Sequence, residues 1–219
     1  MKVLKHALLG SALAVVGVAQ AGLIVDTFDT PVGGVTTSII HPTGALSVTQ
    51  GPTSGGSILG IRNLTYSITS AGPTVDGITI NVAPYGSYLV ETADNNGSPN
   101  LALDYTGFTA VVADNTLLLH GYNTDANLQR VQATFFDGAA GVSSSGWVDV
   151  GPSHSGDLVL GLVGTADLSD ITHIRLEIQG NAGADFTLGS IIAAPEPGTY
   201  GALTALGLLG TVIWRRARS

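Results

Sequence analysis

The sequence predicts an all-β fold, a two-sheet antiparallel sandwich of jelly-roll type. We expect it between a signal-peptide helix at the N-terminus and a single transmembrane helix at the C-terminus. Short segments alternate apolar and polar residues with a period of two, the pattern of a half-buried strand. Asp-Gly, Asn-Gly and Gly-Pro pairs lie between these segments, where turns are expected. No long segment between the two ends has the periodicity of an amphipathic helix.

The alternation is clearest in two segments. Leu64–Ile68 has one apolar and one hydroxylated face, and Ile174–Ile178 places its charges on one face. About ten strands at this spacing favour two packed sheets. Thr30–Gly56 is rich in Gly, Thr, Pro and Ser, and we expect it to form a long surface excursion. The predicted strands are Leu23–Phe28, Ile58–Ile68, Val75–Val82, Ser87–Glu91, Leu101–Tyr105, Thr116–Tyr122, Leu128–Phe135, Trp147–Val150, Leu158–Val163, Ile171–Ile178 and Phe186–Ile192.

Residues 1–21 have the three parts of a secretory signal peptide. A cationic start with Lys2 and Lys5 is followed by the apolar run Ala7–Ala19 and by the small-x-small ending Ala19 and Ala21. The run is too short to span a bilayer comfortably. We therefore expect export through the Sec translocon and cleavage by signal peptidase after Ala21.

The C-terminus has a different organisation. Pro195, Glu196 and Pro197 precede an apolar stretch from Gly198 to Trp214, which would be about 26 Å long as a helix. That length is near the lower limit for a transmembrane span. A basic cluster follows, and such clusters stay cytoplasmic, which places the preceding domain on the other side of the membrane. The cluster consists of Arg215, Arg216 and Arg218.

In this order, Pro195–Pro197, the apolar stretch 198–214 and the basic tail 215–219 resemble the PEP-CTERM sorting signal of Gram-negative bacteria. The resemblance covers residues 195–219. It implies processing by an exosortase, a membrane-embedded transpeptidase-like enzyme that recognises the Pro-Glu-Pro. It also implies a protein held transiently in the inner membrane and then delivered to the cell surface or to the extracellular matrix of an exopolysaccharide biofilm. A plain C-terminal membrane anchor is the alternative.

Composition limits what residues 22–194 can do. This length suits one domain with a core large enough to be stable. Its three arginines, Arg62, Arg130 and Arg175, are outnumbered by fifteen acidic residues, so its formal charge is −12. Such a domain repels a phosphate backbone, and we expect no nucleic-acid partner. The chain has no cysteine, which excludes disulfides, thiol nucleophiles and thiolate metal sites.

Catalytic motifs have little support in this sequence. Ser143–Ser145 lies in a Gly/Ser loop without the flanking pattern of a nucleophile elbow. Ser153 and His154 are neighbours in a loop, where their side chains point apart, and one pair does not make a triad. Most carboxylates lie beside Gly, Asn or Thr in predicted turns. We therefore predict that the protein is not an enzyme.

Two kinds of binding site remain open. A calcium site with oxygen ligands would form if Asp26 and Asp29 on the first strand approached Asp185 on the last strand. Solvated or hydrogen-bonded edge residues are the alternative, and no other cofactor is expected. Trp147 and Tyr122 are candidate stacking platforms for a sugar, with burial in the core as the alternative for each.

Ile171–Ile178, a Gly/Asn turn and Asp185–Ile191 resemble the last two strands of carbohydrate-binding-module-like jelly rolls. Gly189 occupies a position where that pattern often has an aspartate. Two functions follow as alternatives. One is a structural or adhesive protein of the exopolysaccharide matrix, and the other is a surface lectin that binds polysaccharide, with calcium as a candidate stabilising ion. A row of exposed aromatics on one sheet face would favour the lectin, and a smooth face of Thr and Ser the matrix protein.

Overall fold

Strands make up the regular structure of this chain. The computed structural model describes residues 22–29, 37–41, 44–50, 58–68, 76–83, 86–92 and 97–193. This part of the chain contains seventeen strands and no helix, and its strand pairs are antiparallel. The strands are β1 (Leu23–Asp26), β2 (Thr37–His41), β3 (Gly44–Gln50), β4 (Ile61–Ile68), β5 (Asp76–Ala83), β6 (Gly86–Thr92), β7 (Pro99–Thr106), β8 (Thr116–His120), β9 (Asn123–Thr124), β10 (Gln129–Asp137), β11 (Val142–Ser144), β12 (Val148–Val150), β13 (Leu158–Gly161), β14 (Val163–Gly164), β15 (Ile171–Gly180), β16 (Phe186–Leu188) and β17 (Ser190–Ala193).

The larger layer is an eight-stranded sheet in the order β14-β11-β10-β15-β7-β4-β3, with β12 also paired to β10. Strand β7 shows why these segments form strands. Leu101, Leu103 and Tyr105 are buried on one face, while Ala102 and Asp104 lie on the other, partly exposed face. The period-two sequence therefore gives the sheet an apolar inner face and a largely polar outer face.

The second layer consists of two smaller sheets, β1-β17-β8-β13 and β2-β5-β6-β16-β9. A short break connects β8 to β9, and Gly189 alone separates β16 from β17. Gly121, in the first break, has a left-handed φ of 64°. The Gly189 N–H donates to the carbonyl oxygen of His120 at 3.0 Å, and a Cβ on Gly189 would lie 3.1 Å from that oxygen. Glycines therefore allow both strands to pass from one sheet to the other.

Side chains from both layers form one apolar core. Leu64, Leu103 and Leu176 come from the eight-stranded sheet, and Leu119 and Ile191 come from the four-stranded sheet. The described strands lie in one compact unit, Gly22–Ala194. The predicted all-β fold, an antiparallel sandwich, is confirmed.

The predicted surface excursion over Thr30–Gly56 is wrong in part. This segment contains β2, which pairs with β5, and β3, which pairs with β4. Its many Gly, Ser and Thr residues give a weak local signal, and pairing with neighbouring strands decides the conformation. The short strands β9 and β11, of two and three residues, were also absent from the prediction. The predicted strand Leu158–Val163 falls on two strands, β13 and β14, which belong to different sheets.

Among the described residues, no helix has the length and apolarity needed to cross a bilayer. The predicted signal peptide, transmembrane helix and sorting signal lie outside the described residues. The same is true of their individual site residues, which are Ala19, Ala21, Pro195, Glu196, Pro197, Arg215, Arg216 and Arg218.

Candidate functional site

Four strands of the large sheet place polar side chains in one row on its outer face. Asn100 on β7 is in register with Gln179 on β15, and Gln179 is in register with Arg130 on β10. Arg130 is also in register with Asp149 on β12. Register partners in an antiparallel pair project to the same face, so an amide, a second amide, a guanidinium and a carboxylate lie side by side.

The row forms part of the wall of a surface groove of about 520 Å³. Most of the lining side chains carry amide, hydroxyl or charged groups, and Leu128 contributes an exposed apolar side chain. Such a groove offers many hydrogen-bond donors and acceptors together with a comparable extent of apolar surface. The lining residues are Ser98, Asn100, Leu128, Gln129, Arg130, Asp149, Gln179, Gly180 and Asn181.

Trp147 lies beside this row, immediately before β12. The guanidinium carbon of Arg130 is 4.7 Å from the centroid of the indole ring, a cation–π contact. Nε and Nη2 of Arg130 both donate to Oε1 of Gln179, at 2.9 and 2.5 Å. Trp147 is 38% exposed, so the cation–π contact leaves part of the indole open to solvent. The structure thus places Trp147 at the surface, next to the groove.

Asp26, a predicted calcium ligand, is part of a buried ion pair. Its Oδ2 accepts hydrogen bonds from Nη1 of Arg62 at 2.5 Å and from the Tyr105 hydroxyl at 2.9 Å. Its Oδ1 accepts the Phe28 N–H at 2.8 Å, and the Arg62 guanidinium lies 5.7 Å from the Phe28 ring centroid. Protein donors therefore occupy both carboxylate oxygens, and the calcium-ligand prediction is wrong for this residue.

This ion pair joins the two layers of the sandwich, because Asp26 belongs to β1 and its partners Arg62 and Tyr105 belong to β4 and β7. Burial raises the pKa of Asp26 above its usual value, while the Arg62 guanidinium and the hydrogen bonds from Phe28 and Tyr105 oppose the rise. Burial, together with the neighbouring Asp26 carboxylate, raises the pKa of Tyr105 well above 10.0, so its hydroxyl stays protonated and can donate.

The other two predicted calcium ligands do not complete a metal site. Asp29 lies shortly after the end of β1, and Asp185 immediately precedes β16. The backbone carbonyl of Asp185 accepts the side-chain amide of Gln129 at 2.7 Å and the Asp125 N–H at 3.2 Å. In the described ranges no three His, Asp or Glu side chains are grouped so that they could hold a metal ion.

Tyr122, the second predicted sugar platform, is fully buried. Its ring packs against Phe186 with a centroid distance of 5.7 Å, and its hydroxyl donates to Oε1 of Gln129. A buried ring cannot stack on a ligand from solvent, so the prediction of a platform at this position is wrong. The side chain instead fills the core where β8 passes into β9.

Two histidine–aspartate pairs lie elsewhere on the surface. His173 Nε2 is 2.7 Å from Asp104 Oδ1, and His120 Nδ1 is 2.8 Å from Asp157 Oδ1. The Gly121 N–H, followed by the charge and hydrogen bond of His120, lowers the pKa of Asp157 below its usual value. Within the described part of the chain, neither histidine hydrogen-bonds to a serine or threonine hydroxyl, which nucleophilic catalysis of the triad type requires.

The sequence analysis did not identify Asn100, Gln179, Arg130 or Asp149 as site residues. The alternation in Ile174–Ile178 indicates which side chains of β15 face outward, and its extension by one residue includes Gln179. Which residues of other strands lie beside Gln179 depends on cross-strand register, which a single sequence does not report.

No protein-family model matches the chain, and no curated protein matches it. Solved structures do resemble it. The carbohydrate-binding module TmCBM61, in complex with β-1,4-galactotriose, is 10% identical, with a TM-score of 0.36 over 58% of this chain and 86% of that one. The enzymatically active domain of bacteriophage CBA120 tailspike protein 4 is 8% identical, with a TM-score of 0.37 over 69% of this chain and 19% of that one. Carbohydrate-binding modules from the β-sandwich superfamily are 12% identical, with a TM-score of 0.35 over 79% and 62%.

Proposed function

We propose that this protein is exported to the cell surface or extracellular matrix, and that its sandwich binds polysaccharide without catalysis in the groove beside Trp147. The observation that carries the proposal is the partly exposed indole of Trp147 next to a row of hydrogen-bonding side chains. A sugar ring has an apolar C–H face and a rim of hydroxyls, so it needs both kinds of contact.

The arrangement of the groove supports a polymer ligand. An indole can pack against the C–H face of one sugar, while the amides of Asn100 and Gln179 can donate to and accept from its hydroxyls. The carboxylate of Asp149 accepts hydrogen bonds only, which suits a hydroxyl donor. The groove runs across strands β7, β15, β10 and β12 on an outer sheet face, where a long chain can lie without being enclosed.

We propose the sorting route from the sequence. Signal peptidase would release the segment after Ala21, and an exosortase would act at Pro195–Pro197. The apolar stretch Gly198–Trp214 would hold the protein in the inner membrane until then. The resemblance to PEP-CTERM proteins implies an exopolysaccharide matrix. This matrix would supply the polysaccharide ligand that we propose for the groove.

A structural or adhesive role without a ligand groove is the second candidate. The outer face of β4 carries Asn63, Thr65 and Ser67, and Ala102 on β7 pairs with Thr65. This region is a smooth face of small side chains. Among the side chains that the structure describes, Trp147 is the only aromatic counted as exposed, so there is one platform rather than a row.

Glycan binding by the full chain, purified in detergent, tests the proposal. Trp147→Ala should weaken binding to the preferred polysaccharide at least tenfold, about 1.4 kcal/mol, because the stacking surface is lost. Val163→Ala is the matched control, since Val163 is 85% exposed on β14 and does not line the groove. Absence of binding to any polysaccharide, or equal binding by the Trp147 variant, would favour the structural role.

A further inference from the structure

Arg130 differs from the other arginines of the described residues in whether its charge is paired with a carboxylate. Arg62 is paired with Asp26 in the core, and Arg175 lies 3.7 Å from Asp104 and 3.6 Å from Glu177. Arg130 has no carboxylate at ion-pair distance among the described side chains. In a segment of formal charge −12, the one arginine without a carboxylate partner in this part of the chain therefore lines the groove.

Two contacts hold the Arg130 guanidinium in place. Gln179 Oε1 accepts from Nε and Nη2, which are the two donors on one edge of the group. The guanidinium carbon lies over the Trp147 indole, 4.7 Å from its ring centroid. Among the described residues no hydrogen-bond partner occupies Nη1, so the end-on edge formed by Nη1 and Nη2 keeps parallel N–H donors. That edge matches the two oxygens of a carboxylate.

We propose that the groove selects acidic polysaccharide, with the carboxylate of a uronic acid bound end-on by Arg130 and a sugar ring packed on the open part of the Trp147 indole. This inference rests on the proposed function and names its ligand class. The Asp149 carboxylate, in register with Arg130, accepts a sugar hydroxyl. The two parallel donors of Arg130 suit a planar carboxylate with two oxygens better than a sulfate ester, whose three terminal oxygens form a pyramid.

The test compares three polymers by calorimetric titration of the full chain in detergent: polygalacturonate, the neutral galactan obtained by reducing its carboxylates, and dextran sulfate. Polygalacturonate should bind at least tenfold more tightly than the other two. Arg130→Gln should abolish this preference. Arg130→Lys should recover only part of it, because an ammonium group lacks the planar pair of donors.

Arg175→Gln is the matched control, since it removes the same charge from the same sheet and should change polygalacturonate affinity less than twofold. Melting curves of each variant establish that it is folded. Tight galactan binding that depends on Trp147 but not on Arg130 would overturn this inference and leave the proposed function standing. Equal binding of dextran sulfate would also overturn it, and binding of none of the polymers would overturn both.

Discussion

The buried pair of Asp26 and Arg62 offers the sharpest test of how the two layers are held together. Asp26→Ala removes the carboxylate that lies 2.5 Å from the Arg62 guanidinium. It also removes the acceptor of the Tyr105 hydroxyl and of the Phe28 N–H. The side chain of Arg62 is 1% exposed, so water cannot replace the lost partner without opening the core.

Removing one partner of a buried ion pair costs about 3–5 kcal/mol, because the other charge stays buried without compensation. This is a large part of the roughly 5–15 kcal/mol that stabilises an ordinary domain. For a domain of this size 1 kcal/mol shifts the melting temperature by about 2–4 °C, so we expect a fall of about 6–20 °C. Compared with well-packed apolar residues, a buried ion pair adds little net stability, because the cost of burying both charges offsets their attraction. In agreement with that cost, burial raises the pKa of Asp26 despite the nearby guanidinium.

Urea denaturation followed by circular dichroism measures the effect on the full chain. Asp26→Ala and Arg62→Met alone should each lower the unfolding free energy. Asp26→Leu combined with Arg62→Met should recover part of it, because no charge is then left in the core. The recovery is incomplete because the Tyr105 hydroxyl and the Phe28 N–H still lack their acceptor. The reasoning is refuted if Asp26→Ala costs less than about 1 kcal/mol, the value of an ordinary hydrogen bond. It is equally refuted if the double variant is less stable than either single variant.

Three further predictions concern the turns and the sorting signal. Gly60 and Gly146 both have a left-handed φ, of 67° and 63° respectively. A Cβ on Gly60 would lie 2.2 Å from the Thr106 carbonyl oxygen, whereas a Cβ on Gly146 would have no atom within 4 Å. Gly146→Ala should cost about 1 kcal/mol in urea denaturation and Gly60→Ala clearly more, and equal losses would contradict the steric argument. Backbone N–H groups of Asp167, Gly141 and Ala139 lower the pKa of Asp137 below its usual value of 3.8. The ionised carboxylate therefore stabilises the folded state in full at pH values above 3.8, and this stabilisation is lost as the pH falls through the lower pKa of the folded state. The stability difference between wild type and Asp137→Ala should therefore shrink in acid, and a difference constant with pH would count against it. Replacing all three residues of Pro195–Pro197 with alanine should leave the melting temperature unchanged and the protein uncleaved in the inner membrane on immunoblots, whereas normal release would make this segment a simple linker.

The central strands of the large sheet, β10, β15, β7 and β4, could be predicted from the sequence because their signal is local. In Leu101–Tyr105 and Ile174–Ile178 every second side chain is apolar, and these are the side chains that the structure buries. The Asp137-Gly138 pair correctly indicated the turn where the chain leaves β10 for β11, but the turn predicted at Asp76-Gly77 is wrong, because that pair lies inside β5. Thr37–His41 and Gly44–Gln50 were missed, because their pairing with β5 and β4 supplies what their own composition does not.

The contacts that define the candidate site depend on distances along the chain that no local pattern contains. Arg130 and Gln179 are 49 residues apart, and Asp26 is 36 residues from Arg62 and 79 from Tyr105. The sequence placed Asp26 on a strand but could not tell a carboxylate bound to calcium from one bound to arginine, because both need a buried oxygen facing a positive charge. Likewise, Tyr122 and Trp147 are both aromatic residues near strand ends in the sequence. Only the tertiary structure shows that Tyr122 packs against Phe186 in the core and that Trp147 lies at the surface beside Arg130. Side-chain periodicity is a property of one strand, whereas register and layer packing are properties of several, and tertiary structure alone decided them.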